Sequence, residues 1–248
     1  MFAMLTPPYF FAHRGASAHA PENTLAAFRL AREQGAPAIE FDVKLSADGQ
    51  VVIHHDPTLE RTTNGRGPLS RYTLRELKQL DAGAWFGDSF RGETIPTLEE
   101  VFAALGGQIF MNIELTNYAS PLDALVPRVA ELIKKYDLQE SVMFSSFFPH
   151  NLMRAGRLLP QVARGQLSLP GGAGGWQRLW GGLLALQADH PFEGDVRPAG
   201  VEQSHRRGRR VHVWTVNEPQ AMRRLWQIGV DGIFTDDPLT ARSVLQSL

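Results

Sequence analysis

Short apolar runs alternate with amphipathic, helix-like runs along almost the whole chain. This alternation is typical of βα units and predicts a parallel sheet, either closed into a barrel or doubly wound. The strand-like runs are rich in β-branched and aromatic residues, and their number, eight, is that of a (β/α)8 barrel. They lie at about residues 9–13, 38–43, 109–115, 141–146, 162–167, 184–189, 210–216 and 231–235.

One segment, at about residues 57–96, departs from this alternation. Before it, a ninth strand-like run at 51–54 follows the second run after a connection too short for a helix, which predicts a hairpin. A capping box opens at Thr73 inside the segment, and a second one at Thr97 returns the chain to the barrel helices. We expect a single barrel domain over residues 1–248 with this segment as a small insertion.

Local signals give three more detailed expectations. The helix after the first run is expected to begin at Asn23 as N-cap and to stop at Gly35. Residues 171–182 hold six glycines, which favours a mobile, irregular surface connection over a functional lid. The insertion is expected to bury a small aromatic core of its own, and these residues could also roof the site: Trp85, Phe86 and Phe90.

Charge and composition narrow the classes of partner. The chain has 248 residues with 25 Lys and Arg against 26 Asp and Glu, a net charge of −1, which disfavours nucleic acid and anionic membranes as partners. The absence of Cys excludes disulfides and thiol catalysis and fits a reducing compartment. Apolar stretches fall short of a membrane span, and residues 1–12 lack the features of a signal peptide. We expect a cytoplasmic protein without stable membrane association; these features leave its oligomeric state open.

Acidic residues are placed on one face of two predicted strands. Glu40 and Asp42 alternate with apolar residues in the second run, and Glu114 does so in the neighbouring run, so all three carboxylates are expected at the C-terminal mouth of the barrel. Such a set of hard oxygen ligands suits Mg²⁺ or Ca²⁺. A buried ion pair with Arg14 or Lys44 explains the same pattern equally well.

Basic and aromatic residues are expected at the same mouth. His13 ends the first run and His55 ends the hairpin run, and two imidazoles beside a substrate can give and take a proton near neutral pH. Arg14 together with a divalent cation implies an anionic substrate. Trp214 could serve as an apolar surface for a substrate's carbon skeleton, or it could fill the interior of the barrel, and the pattern favours neither. Neither a Walker pattern nor a dinucleotide fingerprint is present, so we expect no nucleotide cofactor.

A series of separated motifs runs along nearly the whole chain. In order, the motifs are His13-Arg14-Gly15, Pro21-Glu22-Asn23-Thr24, Glu40-Phe41-Asp42-Val43, His55-Asp56, Leu59-Glu60-Arg61-Thr62-Thr63-Asn64-Gly65, Asn112-Ile113-Glu114, Val213-Trp214-Thr215 and Asp231-Gly232-Ile233-Phe234-Thr235-Asp236-Asp237-Pro238. In this order and spacing the chain resembles the glycerophosphodiester phosphodiesterase family.

The resemblance implies a TIM barrel of the phospholipase-C-like phosphodiesterase type, with a small insertion. It implies hydrolysis of glycerophosphodiesters to sn-glycerol 3-phosphate and an alcohol, within lipid and glycerol metabolism. It also implies a divalent metal ion, Mg²⁺ or Ca²⁺. The residues that match the family's metal ligands are Glu40, Asp42 and Glu114, those that match its acid/base pair are His13 and His55, and those that match its substrate and phosphate contacts are Glu22 and Arg14.

One position departs from the family pattern. Where members often carry Lys, two residues after the third acid, this chain has Thr116, which brings no charge to the phosphate. Either transition-state stabilisation is weaker or another basic residue takes this place. Two other interpretations remain open: a metal-independent phospholipase-C-like phosphodiesterase, and a catalytically silent barrel that binds glycerophosphodiesters.

Overall fold

Parallel strands close into a barrel in the computed structural model, which describes residues 2, 5–174 and 184–248. Within these residues the sheet order is β1-β9-β8-β7-β6-β5-β4-β2, with β1 also paired to β2, so eight strands form a closed cylinder. The strands are β1 (Tyr9–His13), β2 (Ala38–Leu45), β3 (Val51–Ile53), β4 (Phe110–Leu115), β5 (Val142–Ser146), β6 (Ala163–Leu167), β7 (Ala188–His190), β8 (Arg210–Val213) and β9 (Gly232–Thr235).

Helices surround this cylinder and, within the described residues, connect most of the successive parallel strands. They are α1 (Leu25–Glu33), α2 (Leu74–Leu77), α3 (Leu98–Leu105), α4 (Leu125–Lys135), α5 (Pro149–Leu158), α6 (Pro198–Arg206), α7 (Pro219–Gln227) and α8 (Pro238–Leu245). The predicted (β/α)8 barrel is therefore confirmed. Among the residues that the structure describes, no helix is both long and apolar enough to cross a lipid bilayer.

The excursion after β2 is built as the sequence pattern predicts. β3 pairs antiparallel with β2 across a short turn, which places it outside the closed barrel. Thr73 caps α2 and Thr97 caps α3, each through a complete capping box. Both boxes satisfy backbone N–H donors that the start of a helix leaves free. For this reason α2 and α3 begin directly after Thr73 and Thr97, as the sequence predicts.

Apolar side chains form two layers on either side of the barrel wall. Ile39, Phe41 and Val43 of β2 point outward and join the large cluster that also contains the helix residues Phe28 and Val101. The lumen below the mouth holds a separate cluster of mostly aromatic and small residues: Phe2, Leu5, Tyr9, Phe11, Ala38, Phe110, Met143, Ala163, Ala188 and Phe234. This filling leaves the opposite, C-terminal end of the lumen to polar side chains.

The start of α1 differs from the prediction. Thr24, and not Asn23, is the N-cap, because the Thr24 side chain accepts a hydrogen bond from the backbone of Ala27. Asn23 instead has a φ of +57° and turns its amide toward Asp42. The expected stop at Gly35 is correct, since this residue has a φ of +85° just after the helix.

Three other local expectations have different outcomes in the structure. The strand predicted at 184–189 is shorter and later, at Ala188–His190, because the apolar residues before it pack on the outer core without joining the sheet. The aromatic core predicted for the insertion is wrong: its buried cluster is aliphatic, and Trp85 is 43% exposed. Most of the glycine-rich 171–182 segment lies outside the described residues, since 175–183 are not described.

Candidate active site

Strand register brings the predicted acids to one level of the barrel. In the parallel pair of β2 and β4, Glu40 lies opposite Asn112, and Asp42 lies opposite Glu114. Oxygen atoms of Glu40, Asp42 and Glu114 all lie within 4.8 Å of one another. The period-two pattern of the sequence thus becomes a compact carboxylate cluster, as expected from side chains that alternate along a strand.

Burial makes this cluster electrostatically demanding. Glu40 and Asp42 are 3% and 1% exposed. Burial, and then the charges of Asp42 and Glu114, raise the pKa of Glu40 well above its usual range. Burial and the charge of Asp42 likewise raise the pKa of Glu114 to about 8. Two of the three acids are thus driven toward the neutral form unless a positive charge joins them.

The donor set of the cluster fits a hard divalent cation. Within the described part of the chain, Glu40 Oε1 and Asn112 Oδ1 are buried oxygen atoms without a hydrogen-bond donor. Unpaired buried acceptors are costly, and a cation bound by oxygen ligands would satisfy them. The residues that could hold such an ion are Glu40, Asp42 and Glu114.

The alternative of a buried ion pair is met only in part. Arg14 Nε lies 3.4 Å from an Asp42 oxygen, and the Arg14 backbone N–H donates to Glu40 over 3.1 Å. Burial is the largest single influence and acts to raise the pKa of Asp42, but the Arg14 guanidinium together with His55, Asn23 and His13 outweighs it, so this pKa is lowered. Arg14 therefore compensates one carboxylate, while the pKa values of Glu40 and Glu114 stay raised.

His13 reaches this cluster from the end of β1, where it lies next to Glu40 in the strand register. Its Nδ1–H donates to Asp236 over 2.6 Å, and its Nε2 lies 3.9 Å from Glu40. Although burial acts to raise it, the hydrogen bond from His13 helps to lower the pKa of Asp236 to about 2. An ionised Asp236 fixes the ring so that Nε2 faces the pocket.

His55 is held in the same way from the hairpin side. Its Nδ1–H donates to Asp56 over 2.6 Å. Hydrogen bonds from Arg61, opposed by burial, and then from His55 hold the pKa of Asp56 well below its usual range. The site therefore has two imidazoles, each oriented by its own carboxylate, and both line one cavity.

This cavity, of about 120 Å³, opens at the C-terminal mouth of the barrel. Trp214 and Phe147 line it together with the charged residues, and their ring centroids lie 5.4 Å apart. The Trp214 Nε1–H donates to the carbonyl of His190 over 2.9 Å, which fixes the indole at the pocket wall. The structure thus brings His13, Arg14, His55 and Trp214 together with the acids.

Glu22 meets the site through arginine. Its carboxylate accepts a hydrogen bond from Arg14 Nη1 over 2.8 Å. Although burial opposes it, hydrogen bonds from Arg61 and the charge of Arg14 lower the pKa of Glu22. Glu22 is therefore an ionised support for Arg14, and it is not among the residues that line the cavity.

Thr116 lies against a lysine. Lys44 Nζ donates to the Thr116 carbonyl over 3.0 Å and to its hydroxyl over 3.1 Å. Lys44 follows Asp42 on the same face of β2, and burial, opposed by Asp42 and Glu114, lowers its pKa. An ammonium is thus present at the position where the neutral Thr116 supplies none.

Several site residues were not identified from the sequence, because a residue type does not by itself reveal which side chain it contacts. Asn23 donates to Asp42 over 3.0 Å, and the Tyr118 hydroxyl donates to Glu114 over 2.6 Å. Asp56 and Asp236 orient the histidines. Three of these four lie inside the family-like motifs, which was the available signal, whereas nothing in the sequence marks Tyr118.

Comparison with known proteins identifies the family. The model of the glycerophosphoryl diester phosphodiesterase family matches residues 13–240, which is most of the chain. The chain belongs to this family. The predicted family and enzyme class, a phosphoric diester hydrolase, are thereby confirmed.

The alignments with relatives cover nearly the full length of both chains. A glycerophosphodiester phosphodiesterase of Caldanaerobacter subterraneus is 41% identical over 234 residues, which are 92% of this chain and 94% of the relative. The solved structure of an Oleispira antarctica phosphodiesterase in complex with the product sn-glycerol-3-phosphate is 35% identical, covers 97% of each chain and has a TM-score of 0.88. A glycerophosphodiester phosphodiesterase structure from Agrobacterium tumefaciens is 31% identical, covers 95% of this chain and 99% of that one, and has a TM-score of 0.79.

Proposed function

We propose that this chain hydrolyses glycerophosphodiesters to sn-glycerol 3-phosphate and an alcohol, with a divalent cation and with His13 and His55 as acid/base pair. The observation that carries the proposal is the placement of both carboxylate-backed imidazoles in one cavity with the acidic cluster. The substrate class is supported by the sn-glycerol-3-phosphate bound in the Oleispira antarctica relative. We further propose that residues 1–248 act as a single barrel domain with an insertion at about 57–96.

Glu40, Asp42 and Glu114 would hold the cation, Mg²⁺ or Ca²⁺, which when bound would neutralise phosphodiester oxygens as a Lewis acid. Arg14 would bind the phosphate, since its guanidinium offers paired donors to two oxygens. Glu22 holds Arg14 in place for this contact.

The histidines would move the protons. One imidazole deprotonates the nucleophile at its Nε2, and the other protonates the oxygen of the departing alcohol. Asp236 and Asp56 keep the Nδ1–H of each ring directed away from the substrate. Trp214, which lines the same cavity, would pack against the carbon skeleton of the substrate.

The nucleophile is either the 2-hydroxyl of the glycerol or a water molecule. Internal attack by the 2-hydroxyl gives a cyclic phosphate that water then opens, and it avoids the entropy cost of recruiting a second reactant. A substrate without the 2-hydroxyl separates the two routes, because unchanged turnover on it would exclude the cyclic one.

A turnover assay tests the proposal and its alternatives together. Glycerophosphocholine, glycerophosphoethanolamine and glycerophosphoglycerol are supplied with Mg²⁺ or Ca²⁺, and each reaction is repeated after exhaustive chelation. We expect release of sn-glycerol 3-phosphate that stops on chelation and returns with the cation. Hydrolysis that survives chelation would favour the metal-independent phosphodiesterase, and binding without hydrolysis would favour the silent barrel.

Single substitutions assign the acid/base pair. His13→Ala and His55→Ala should each lower kcat by at least about 10², the usual contribution of general acid/base catalysis. His205→Gln is the matched control, because His205 lies on α6 and pairs with Asp231 instead of the acidic cluster. Wild-type turnover in both single variants would reject the pair.

A further inference from the structure

Arg61 joins two carboxylates at the edge of the active site. Its Nε and Nη2 donate to Asp56 over 2.6 and 3.1 Å, and its Nη1 and Nη2 donate to Glu22 over 2.6 and 2.9 Å. Both edges of the guanidinium are used, each in a bidentate arrangement. A lysine could not reproduce this geometry, because its ammonium is a single point of charge.

Each of these carboxylates holds a residue of the proposed reaction. Asp56 accepts the Nδ1–H of His55, and Glu22 accepts a hydrogen bond from Arg14. The contacts therefore form one continuous chain of hydrogen bonds, from Arg14 through Glu22, Arg61 and Asp56 to His55. Arg61 is its central member, and its own side chain is 45% exposed at the rim.

The charges along this chain are consistent with a coupling role. Hydrogen bonds from Arg61 are the largest influence that lowers the pKa of Asp56, and hydrogen bonds to Glu22 and Asp56 raise the pKa of Arg61 above its usual value. Both carboxylates therefore stay ionised. Because Arg61 is half exposed, we assign its importance to geometry and not to stability, since exposed ion pairs contribute little to folding.

Contacts within the insertion fix the backbone around Arg61. Leu59 is fully buried, and both the hydroxyl and the backbone N–H of Thr63 donate to the Leu59 carbonyl, over 2.7 and 3.1 Å. This closes a turn around residue 61. Leu59 belongs to the apolar cluster that the insertion forms with Val52 of β3: Val52, Leu59, Leu69, Leu77, Ala82 and Ile95. The insertion thus provides a rigid base from which one side chain reaches the active site.

We propose that Arg61 is a positioning residue, which holds the proposed acid/base residue His55 and the proposed phosphate ligand Arg14 in a fixed relation through Asp56 and Glu22. The proposal rests on the proposed function of His55 and Arg14. It assigns the insertion a task in the reaction, because the alignment of the two groups depends on a residue that the barrel itself does not contain.

Steady-state kinetics of Arg61→Ala and Arg61→Lys give the first test. We expect Arg61→Ala to lower kcat about 10- to 100-fold, less than the loss of a general acid or base itself, and to raise KM a fewfold. Arg61→Lys should recover only part of this loss. Millimolar guanidinium should restore much of the activity of Arg61→Ala, and an equal concentration of ammonium should not. Arg91→Ala is the control, since Arg91 lies in the same insertion and pairs with the exposed Asp88.

A double-mutant cycle tests the coupling without depending on how Arg61→Ala folds. Glu22→Gln and Asp56→Asn are combined in the wild-type protein, where Arg61 connects them. We expect kcat of the double variant to be about fivefold higher than the product of the two single effects. Removing either carboxylate already breaks the chain of hydrogen bonds, so removing the second one costs less. In the Arg61→Lys background the two effects should multiply independently.

Three results would overturn the proposal: unchanged kcat in Arg61→Ala, a loss of activity that follows only the loss of folded protein and resists guanidinium, or purely multiplicative effects of Glu22→Gln and Asp56→Asn in the wild-type protein. Failure of the proposed function has a different signature. In that case His55→Ala or chelation would leave turnover intact, whatever Arg61 does.

Discussion

The ammonium of Lys44 lies 3.1 Å from the hydroxyl of Thr116. A positive charge from β2 thus lies beside the uncharged residue that directly follows the neighbouring strand β4. The fields of Asp42 and Glu114 act on this ammonium, which is largely buried between the strands.

Removal of this charge should weaken the enzyme. We expect Lys44→Met to lower kcat/KM for glycerophosphodiesters about tenfold, because one cation fewer attracts an anionic substrate. Lys44→Met combined with Thr116→Lys returns an ammonium from the end of the neighbouring strand β4 and should recover most of the activity. Lys78→Met is the control, because Lys78 lies in the insertion and pairs with Glu100 of α3. Wild-type kcat/KM in Lys44→Met would show that the charge does not act on the substrate.

The metal-free protein should lose thermal stability as the pH rises from about 5 to 8. The pKa of Glu114 is raised from 4.5 to about 8, so the folded protein keeps a proton that the unfolded chain has released. The stability that this proton contributes is fully present below the pKa of Glu114 in the unfolded chain. It is lost as the pH rises through the pKa of Glu114 in the folded protein. Calorimetric unfolding at several pH values, compared with Glu114→Gln, measures the slope.

Ca²⁺ or Mg²⁺ should therefore raise Tm more at pH 8 than at pH 5.5. A cation at one hundred times its Kd adds about 2.7 kcal/mol, or roughly 5–10 °C for a chain of this size. At pH 5.5 the cation competes with protons on the same oxygens and should stabilise less. Equal shifts at both pH values would contradict binding at the carboxylate cluster.

Tyr118→Phe should weaken cation binding about tenfold. The Tyr118 hydroxyl donates to Glu114 over 2.6 Å, and loss of a hydrogen bond that orients a ligating side chain usually costs 10- to 100-fold in metal affinity. Isothermal titration with Ca²⁺ and Mg²⁺ measures the change. Tyr136→Phe, after α4 and packed on Phe102, should bind the cation like the wild-type protein. Unchanged affinity in Tyr118→Phe would remove Tyr118 from the site.

Gly165→Ala should destabilise the barrel by about 1–3 kcal/mol, because the lumen is already filled. A Cβ at Gly165 would clash with Nε2 of the fully buried His190. Gly200→Ala is the matched control, since α6 has open space at that position, and it should be neutral or stabilising by up to about 1 kcal/mol. Chemical denaturation measures both variants, and equal stability of the two would contradict the packing argument.

Local patterns determined the barrel and the direction of its acids. Alternation along β2 and β4 sets which side chains share a face, so Glu40, Asp42 and Glu114 could be placed together before their distances were known. Capping boxes at Thr73 and Thr97 fixed two helix starts for the same local reason. These features depend on neighbours within a few residues, which the sequence displays directly.

Contacts between distant segments were decided only by the tertiary structure. Asp236 is 223 residues from His13, and no local rule pairs them. Asn23 has the side chain of a helix cap, yet it turns to Asp42 because Thr24 already satisfies the helix start. The chemistry of each residue type is written in the sequence, but its partner is set by barrel closure, which brings strands and loops from both ends of the chain to one mouth.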